Sequence, residues 1–103
     1  VSNNIKFAGG SFTKLVGGDY SRLAGGQGSK LIGGIAATLA GGNNAIIVGD
    51  HDSVAKGKKG AIILLIERDN TLNIVDFKAV QVDGKKIKED VLYKLENGEL
   101  IQV

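Results

Sequence analysis

Hydrophobic residues recur at every eighth position along the first two thirds of the chain, and glycines follow them at the same spacing. In octads counted from Val1, position 7 is Phe7, Leu15, Leu23, Leu31, Leu39, Ile47, Ala55 and Ile63. Position 1 is glycine from Gly9 to Gly57, and position 5 is small from Thr13 to Ala61. The period holds without an insertion as far as Leu64. A strict short repeat of this kind predicts stacked units of the same structure.

Alternation along each octad predicts a short strand with one buried face. Successive side chains of a strand point to opposite sides, so positions 5, 7 and the next position 1 share a face. That face carries a small residue, an aliphatic residue and a glycine, which predicts a thin core between two layers of strands. We expect the glycine pairs to form the corners, because a positive φ costs glycine little. Asp50, which replaces the second glycine of one pair, is expected to tolerate the same left-handed corner.

The repeat favours a parallel β-solenoid over two alternatives. A helix would carry two glycines in each octad, at a cost of roughly 2 kcal/mol relative to alanine. An antiparallel meander would need identical rather than mirror-related turns between very short strands. We therefore predict an all-β fold, a short parallel β-solenoid (β-helix) of about four 16-residue coils. Each coil contains two octads, and neighbouring coils lie about 4.8 Å apart.

The repeat ends near Ala61, and the remaining sequence is typical of antiparallel strands. Asp83-Gly84 and Asn97-Gly98 are strong hairpin signals, and Asp69-Asn70 is a further turn. We predict an antiparallel β-meander cap with strands near residues 61–67, 72–82, 85–88, 91–96 and 99–103. A helix over residues 86–95 is the alternative, since apolar residues recur there at helical spacing. The predicted units are an octapeptide-repeat solenoid at 1–66 and a C-terminal β cap at 67–103.

The two outer faces of the predicted solenoid differ in character. With two octads in each coil, outward residues sixteen apart in sequence stack on each other. At position 8, one face carries alanines and the other carries an aliphatic stripe. The stripe is Val16, Ile32, Val48 and Leu64. A contiguous apolar stripe that points away from the core usually marks an interface.

Two interpretations of the aliphatic stripe remain open. In the first, the C-terminal tail folds back over one end of the solenoid and covers Ile46, Val48, Ile62 and Leu64. In the second, the tail does not reach Val16 and Ile32, which leaves them for a second chain. We therefore name Val16, Ile32 and Val48 as candidate self-association residues. We expect a homo-oligomer, and a dimer in particular.

Charge is unevenly distributed along the chain. The 103 residues include 13 Lys and Arg against 11 Asp and Glu, a net charge of +2. Residues 1–66 hold seven of the basic and three of the acidic residues, so the solenoid is mildly basic and the tail mildly acidic. Position 6 is basic in the first four octads, at Lys6, Lys14, Arg22 and Lys30. These residues either form a solvated edge that discourages aggregation or contact an anionic polymer such as a polysaccharide or a nucleic acid.

The octads GGDYSRLA and GGQGSKLI, at residues 17–24 and 25–32, resemble the octapeptide repeat of bacterial ice-nucleation proteins, which has the form A-G-x-x-S-T-L-T. The resemblance implies a β-solenoid that a non-repetitive segment closes at its C-terminal end. It also implies that basic coils near that end take part in self-assembly. The family's ice-organising surface uses threonines at positions 6 and 8. Thr38 alone occupies such a position here, so we expect little or no ice activity.

Residue types that carry catalysis are sparse. The chain has no cysteine, which excludes disulfides and thiolate metal sites. In the one mixed cluster, Gly49–Ser53, the side chains of Asp50 and Asp52 would point away from His51 in an extended segment. One histidine with one carboxylate gives too few ligands for a zinc site. A solvated basic turn is expected at Lys56, Lys58 and Lys59.

The sequence therefore favours a structural role over an enzymatic one, with no catalytic residue, no metal and no cofactor. The leading hypothesis is a structural and self-association module that terminates a β-solenoid repeat tract. The alternative is a binding module that contacts an anionic polymer through the basic residues at position 6. Because the first octad is already in register, we expect the chain to come from a longer repeat tract. No stretch has the length of a membrane span, and the sequence does not indicate a cellular location.

Overall fold

The computed structural model describes residues 6–103, which form eleven β-strands and contain no helix. The strands are β1 (Lys6–Ala8), β2 (Lys14–Val16), β3 (Arg22–Ala24), β4 (Lys30–Ile32), β5 (Thr38–Ala40), β6 (Ile46–Gly49), β7 (Val54–Lys56), β8 (Ile62–Arg68), β9 (Ile74–Gln81), β10 (Tyr93–Glu96) and β11 (Glu99–Gln102). The predicted all-β fold is confirmed. Each of the first eight strands begins at position 6 of an octad.

Alternate octads lie in two separate sheets. The odd-numbered strands β1, β3, β5 and β7 pair in parallel in one sheet, and the even-numbered strands β2, β4, β6 and β8 pair in parallel in the other. The register joins residues sixteen apart, as in Leu15 opposite Leu31 and Leu23 opposite Leu39. Two octads therefore make one coil of a parallel β-solenoid of about four coils, as predicted. The tail extends both sheets, to five strands and six strands in total.

The core of the solenoid lies between the two sheets and receives side chains from both. Leu31, Leu39 and Ile47 at position 7 have no exposed surface, and the small residues at position 5 are buried beside them. The buried serines keep their hydrogen bonds, because Ser53 Oγ donates to the Gly34 carbonyl at 2.9 Å and accepts the Ala37 N–H at 3.1 Å. Such satisfaction removes the cost of burying a hydroxyl group. Inward-facing positions 5, 7 and 1 are thus confirmed.

The corners differ from the prediction, which placed the left-handed residue in the glycine pair. The left-handed residue is at position 4 of each described corner. These residues are Phe12 (φ 58°), Tyr20 (60°), Gly28 (68°), Ala36 (58°), Asn44 (57°), Asp52 (62°) and Gly60 (90°). Repeated hydrogen bonds between coils hold this conformation, since the N–H of residue 12 donates to the carbonyl of residue 27 and that of residue 20 to residue 35, each at 2.8 Å.

Close approach of the chain explains the glycine pairs instead. A Cβ atom on Gly33, at position 1, would lie 2.6 Å from the Cβ of Ala37 within its own corner. A Cβ on Gly42, at position 2, would lie 2.7 Å from the carbonyl carbon of Gly26 in the neighbouring coil. Both distances are shorter than carbon atoms tolerate. Glycine is therefore required for space at these positions and not for a positive φ.

The repeat ends at residue 65, where leucine replaces the position 1 glycine. Leu65 is 1% exposed and fills the space at the end of the core. No corner forms there, so β8 continues to Arg68 and turns back into β9, which pairs antiparallel with it from Ile62 opposite Gln81 to Arg68 opposite Ile74. The predicted boundary at residue 66 falls inside β8. The predicted turn at Asp69-Asn70 is confirmed by the hydrogen bond from the Asp69 N–H to the Asn73 carbonyl, at 2.9 Å.

The tail seals the end of the core without covering an outer face. β10 pairs antiparallel with β7 and with β11, and residues 82–92 cross the end of the solenoid between the two sheets. Val82 and Leu95 are 1% and 4% exposed against the core. The prediction that the tail folds back over Ile46 and Ile62 is wrong, since these side chains are 42% and 43% exposed.

The predicted strand over residues 85–88 is wrong, as is the alternative helix over 86–95, because residues 82–92 form neither. Asp83 organises this loop, since its carboxylate accepts the N–H groups of Lys85 and Ile87 at 2.8 and 3.1 Å. The hairpin at Asn97-Gly98 is confirmed, with positive φ angles of 51° and 79°. Two successive positive φ angles are typical of the type I′ turn.

Candidate self-association surface

The outer side of the five-stranded sheet carries a broad apolar surface, which we call the apolar face. Its central row joins all five strands, because Val16, Ile32, Val48, Leu64 and Ala79 stand opposite each other in successive strand pairs. Further apolar residues lie beside this row. They are Ile46 and Ile62 on one side and Ile66 and Phe77 on the other. The stripe predicted from the repeat is thus contiguous and is larger than predicted.

Several side chains of the apolar face are substantially open to solvent. Val16 is 37% exposed, Ile32 is 40% exposed and Phe77 is 64% exposed. Val48 is half-buried between its neighbours. Burial of such contiguous apolar area is favourable by about 25 cal/mol per Å². The three candidate residues named from the sequence therefore lie together on one surface.

Sequence reasoning missed the contribution of β9 to the apolar face. Val75, Phe77 and Ala79 alternate with polar or less exposed residues, which is the pattern of a strand with one apolar side. That pattern was visible, but it does not say whether the strand lies over a sheet or extends its edge. The structure places β9 at the edge, so its apolar side continues the surface of β8.

The outer side of the six-stranded sheet is different. Its position 8 row is Ala8, Ala24, Ala40 and Lys56. A shallow groove of about 160 Å³ runs beside this row, and its wall includes Lys6, Arg22 and Thr38. At position 8 this side carries alanines where the apolar face carries branched aliphatic residues. This side therefore provides a natural control surface.

The four basic candidates form two separate pairs. Lys6 stands opposite Arg22 in the six-stranded sheet, and Lys14 stands opposite Lys30 in the five-stranded sheet. All four side chains are exposed. Within residues 6–103 none of them forms a salt bridge. The like charges in each pair are therefore about one strand spacing apart and repel each other mildly.

The Gly49–Ser53 cluster joins the solenoid to the tail. The Arg68 guanidinium donates to both carboxylate oxygens of Asp50, at 2.6 and 2.9 Å. These two hydrogen bonds hold the pKa of Asp50 below its usual value, although partial burial acts in the opposite direction. The Arg68 N–H also donates to His51 Nδ1 at 2.9 Å, and His51 Nε2 lies 3.4 Å from Asp52 Oδ2. Each polar group of this corner has a structural partner.

The basic corner at Lys58 and Lys59 contacts the tail instead of being a plain solvated turn. Lys58 Nζ lies 3.1 Å from Asp90 Oδ2, and the Lys59 N–H donates to Glu89 Oε1 at 2.7 Å. The Asp90 N–H donates to the Gly57 carbonyl at 2.9 Å. The acidic tail thus contacts the last basic corner of the solenoid through one ion pair and two backbone hydrogen bonds. The sequence feature that could have predicted this contact is the opposite net charge of residues 1–66 and 67–103.

The described residues were also searched for metal-binding clusters and membrane-spanning helices, and the chain was compared with known proteins. Among residues 6–103, no three acidic, histidine or cysteine side chains are grouped so as to hold a metal ion. Within the same range there is no helix of the length and apolar character needed to cross a membrane. Comparison of the chain with known protein families, curated proteins and solved structures found no match.

Proposed function

We propose that this chain is a structural module that terminates a β-solenoid tract and self-associates through the apolar face. The observation that carries the proposal is the position of the tail. Because β9 extends the sheet instead of lying over it, the apolar face spans five strands and stays open to solvent. Contiguous exposed apolar surfaces of this kind mark protein interfaces.

Support for the terminating role comes from the end of the core. Solenoids require an end cap, since the last coil would otherwise expose its core and its backbone groups. Here Leu65 closes the core, and β9 and β10 pair with the last strand of each sheet. The two hydrogen bonds from the Arg68 guanidinium to the Asp50 carboxylate connect the start of the cap to the preceding coil.

A pairing of two apolar faces suits the chemistry of this surface. Two copies related by a two-fold axis bring the same rows together, as a closed symmetric interface requires. Sheets that pack face to face lie about 10 Å apart, with their side chains interdigitated. Branched aliphatic side chains at positions 6 and 8 of β6 and β8 provide that layer, and the lysines of β2 and β4 lie at its rim.

Sedimentation across a range of concentrations tests the proposal with a matched pair of variants. Ile32→Lys places a charge in the central row of the apolar face, whereas Ala24→Lys places the same charge at position 8 of the opposite sheet. We expect the parent to self-associate, Ala24→Lys to behave like the parent, and Ile32→Lys to show a lower mass at every concentration. Circular dichroism checks that both variants stay folded. A parent that is monomeric at high micromolar concentration contradicts the proposal, and so does an unaffected Ile32→Lys variant.

A second candidate function is supported by the basic pairs. Lys14 and Lys30 stack without a salt bridge in the described residues, which leaves their charge available to an anionic polymer. Binding of this kind weakens steeply as salt is added, whereas association through apolar surface persists. Titration of heparin or a single-stranded nucleic acid at low and high salt tests it. Equal binding by the Lys14→Gln/Lys30→Gln variant would exclude this pair as the contact.

A further inference from the structure

The edge of the five-stranded sheet is formed by the longest strand among residues 6–103. β9 has eight residues and pairs with β8 on one side only. Its side chains are unusually open for a strand, with Ile74, Val75 and Phe77 exposed by 57%, 58% and 64%. An unpaired edge presents a row of backbone donors and acceptors to another strand. β9 is therefore the strand best suited to pair outside its own chain.

Hydrogen bonding determines which residues of β9 face the open edge. The Val82 N–H, just beyond the strand, donates to the Ala61 carbonyl at 2.8 Å and so points toward β8. In an antiparallel pair the bonded residues alternate, so from Asp76 to Val82 the even-numbered residues bond to β8 and the odd-numbered residues face outward. A β-bulge opposite Glu67 and Arg68 ends this alternation before Asp76. The Phe77 N–H agrees with this, since it donates to the carboxylate of its neighbour Asp76 at 2.8 Å and not to β8.

Charges on β9 favour one register for a symmetric pair, because that register brings opposite charges together. With Phe77 opposite Phe77 of a second copy, Asp76 stands opposite Lys78 of that copy, and the reverse pair forms on the other side of the axis. Ala79 and Val80 then lie opposite the bulged end of β9 at Ile74 and Val75. Moving the axis to Asp76 would place two aspartates opposite each other, and moving it to Lys78 would do the same for two lysines. Like charges directly opposite are destabilising, and opposite charges are stabilising.

We propose that β9 pairs antiparallel with β9 of a second copy, with Phe77 on the two-fold axis. The inference rests on the proposed function in that the chain self-associates, but it assigns a second and separate contact. The axis is perpendicular to the sheet, so both apolar faces lie on the same side and merge into one. In the pair, the Asp76 carboxylate releases the Phe77 N–H and forms an ion pair with Lys78 of the second copy. The Phe77 N–H then donates to a backbone carbonyl of that copy.

The charges of Asp76 and Lys78 explain why β9 would pair with β9 of a second copy and not with the edge strand of another sheet. A charged residue on an edge strand discourages pairing with an arbitrary strand, because its charge would be left without a partner. A second β9 supplies both partners at once. Specificity then comes from the mismatch with every other edge as well as from the match with itself.

Charge exchange in an Ile32→Lys background isolates this contact from the apolar face. We expect the Ile32→Lys chain to form a dimer through β9. Addition of Asp76→Lys or Lys78→Asp should weaken that dimer about tenfold or more, since each change places like charges opposite each other on both sides of the axis. An equimolar mixture of the two variants should form a one-to-one dimer, because every facing pair is then of opposite charge. Lys86→Asp, in the exposed loop of the cap, is the control for a change of charge alone.

A cysteine at the axis gives an independent geometric test. The chain has no cysteine of its own, so a single Phe77→Cys substitution adds the one thiol. Facing residues of a hydrogen-bonded antiparallel pair have Cα atoms about 5.5 Å apart, within disulfide range. We expect rapid disulfide dimers on oxidation of Phe77→Cys. Gln81→Cys should not form them, since its two thiols would lie far apart on opposite sides of the axis.

The outcomes separate this inference from the proposed function. If the Ile32→Lys chain is monomeric and the parent is not, the apolar face stands and pairing through β9 is wrong. If the Ile32→Lys chain associates as the parent does and the charge variants disrupt it, β9 pairing stands and the role of the apolar face is wrong. A mixture of the charge variants that stays monomeric overturns the register. If the parent uses both the apolar face and the β9 edge, its assembly should have a larger mass than a dimer.

Discussion

A series of glycine to alanine substitutions tests whether the octad glycines are required for space. Gly42, Gly33 and Gly10 provide three environments with the same chemical change, the addition of one methyl group. A Cβ on Gly42 would lie 2.7 Å from backbone atoms of Gly26 and Gln27 in the neighbouring coil. A Cβ on Gly33 would lie 2.6 Å from the Cβ of Ala37. A Cβ on Gly10 would have nothing within 4 Å.

The expected magnitudes follow from these contacts. Overpacking by one carbon costs typically 1–3 kcal/mol, so about 3 kcal/mol is expected for Gly42→Ala, because only separation of the coils relieves a contact with backbone. About 2 kcal/mol is expected for Gly33→Ala, whose contacts are side chains of its own corner. Gly10→Ala should be neutral or stabilising by up to about 1 kcal/mol, through the lower entropy of the unfolded chain. None of the three glycines has a positive φ.

Thermal unfolding at one protein concentration measures the series. Each kcal/mol shifts the melting temperature of a domain near this size by about 4–8 °C. Gly42→Ala should therefore melt at least about 12 °C below the parent, and Gly33→Ala should lie between them. Equal stability of the Gly42→Ala and Gly10→Ala variants would show that the coils do not approach each other at position 2, which would refute the explanation of the repeat.

Three further outcomes are expected. Leu31→Asp should prevent folding, because it buries an unpaired carboxylate at a site with no exposed surface, whereas Leu72→Asp, at a site 59% exposed, should fold as the parent does by circular dichroism. Arg68 lowers the pKa of Asp50, so the stability from this pair is present at neutral pH and is lost as the pH falls through the folded-state pKa, below about pH 4. Urea unfolding should accordingly show that acidification costs the parent more stability than it costs the Asp50→Asn variant. Droplets containing the protein should freeze at the temperature of the buffer alone, since Thr38 has no threonine ladder around it; freezing well above the buffer control would contradict this.

The inside and outside of the solenoid could be predicted because eight is a multiple of the two-residue period of a strand. Leu31 and Ile32 therefore keep their sides in every coil, and no tertiary information is needed. The corner could not be predicted in the same way. Tyr20 and Ala36 are poor left-handed residues, yet the ladder of hydrogen bonds between identical corners overrides their local preference.

The tail was predictable in type but not in placement. Asn97-Gly98 specifies its turn locally, since both residues accept a positive φ. In contrast, the partnership of Asp50 with Arg68 depends on β8 continuing straight past Leu65. That continuation follows from a missing corner, which the repeat pattern shows only as the loss of its period. The apolar alternation of β9 likewise defined one side of the strand without defining its neighbour.

The different periods of core and surface have a consequence for how such a chain changes length. The octads present inward residues of the same kinds, so gain or loss of one octad by slippage or recombination keeps the pattern of the core. The outward residues repeat only after two octads, because successive octads lie in opposite sheets. Insertion of a single octad between β4 and β6 would move Val16 and Ile32 to the sheet opposite Val48 and cut the apolar face in two. A lineage of such chains can therefore divide the apolar face in one genetic step while keeping the solenoid pattern, and a protein engineer who wishes to lengthen the face must add residues in sixteens.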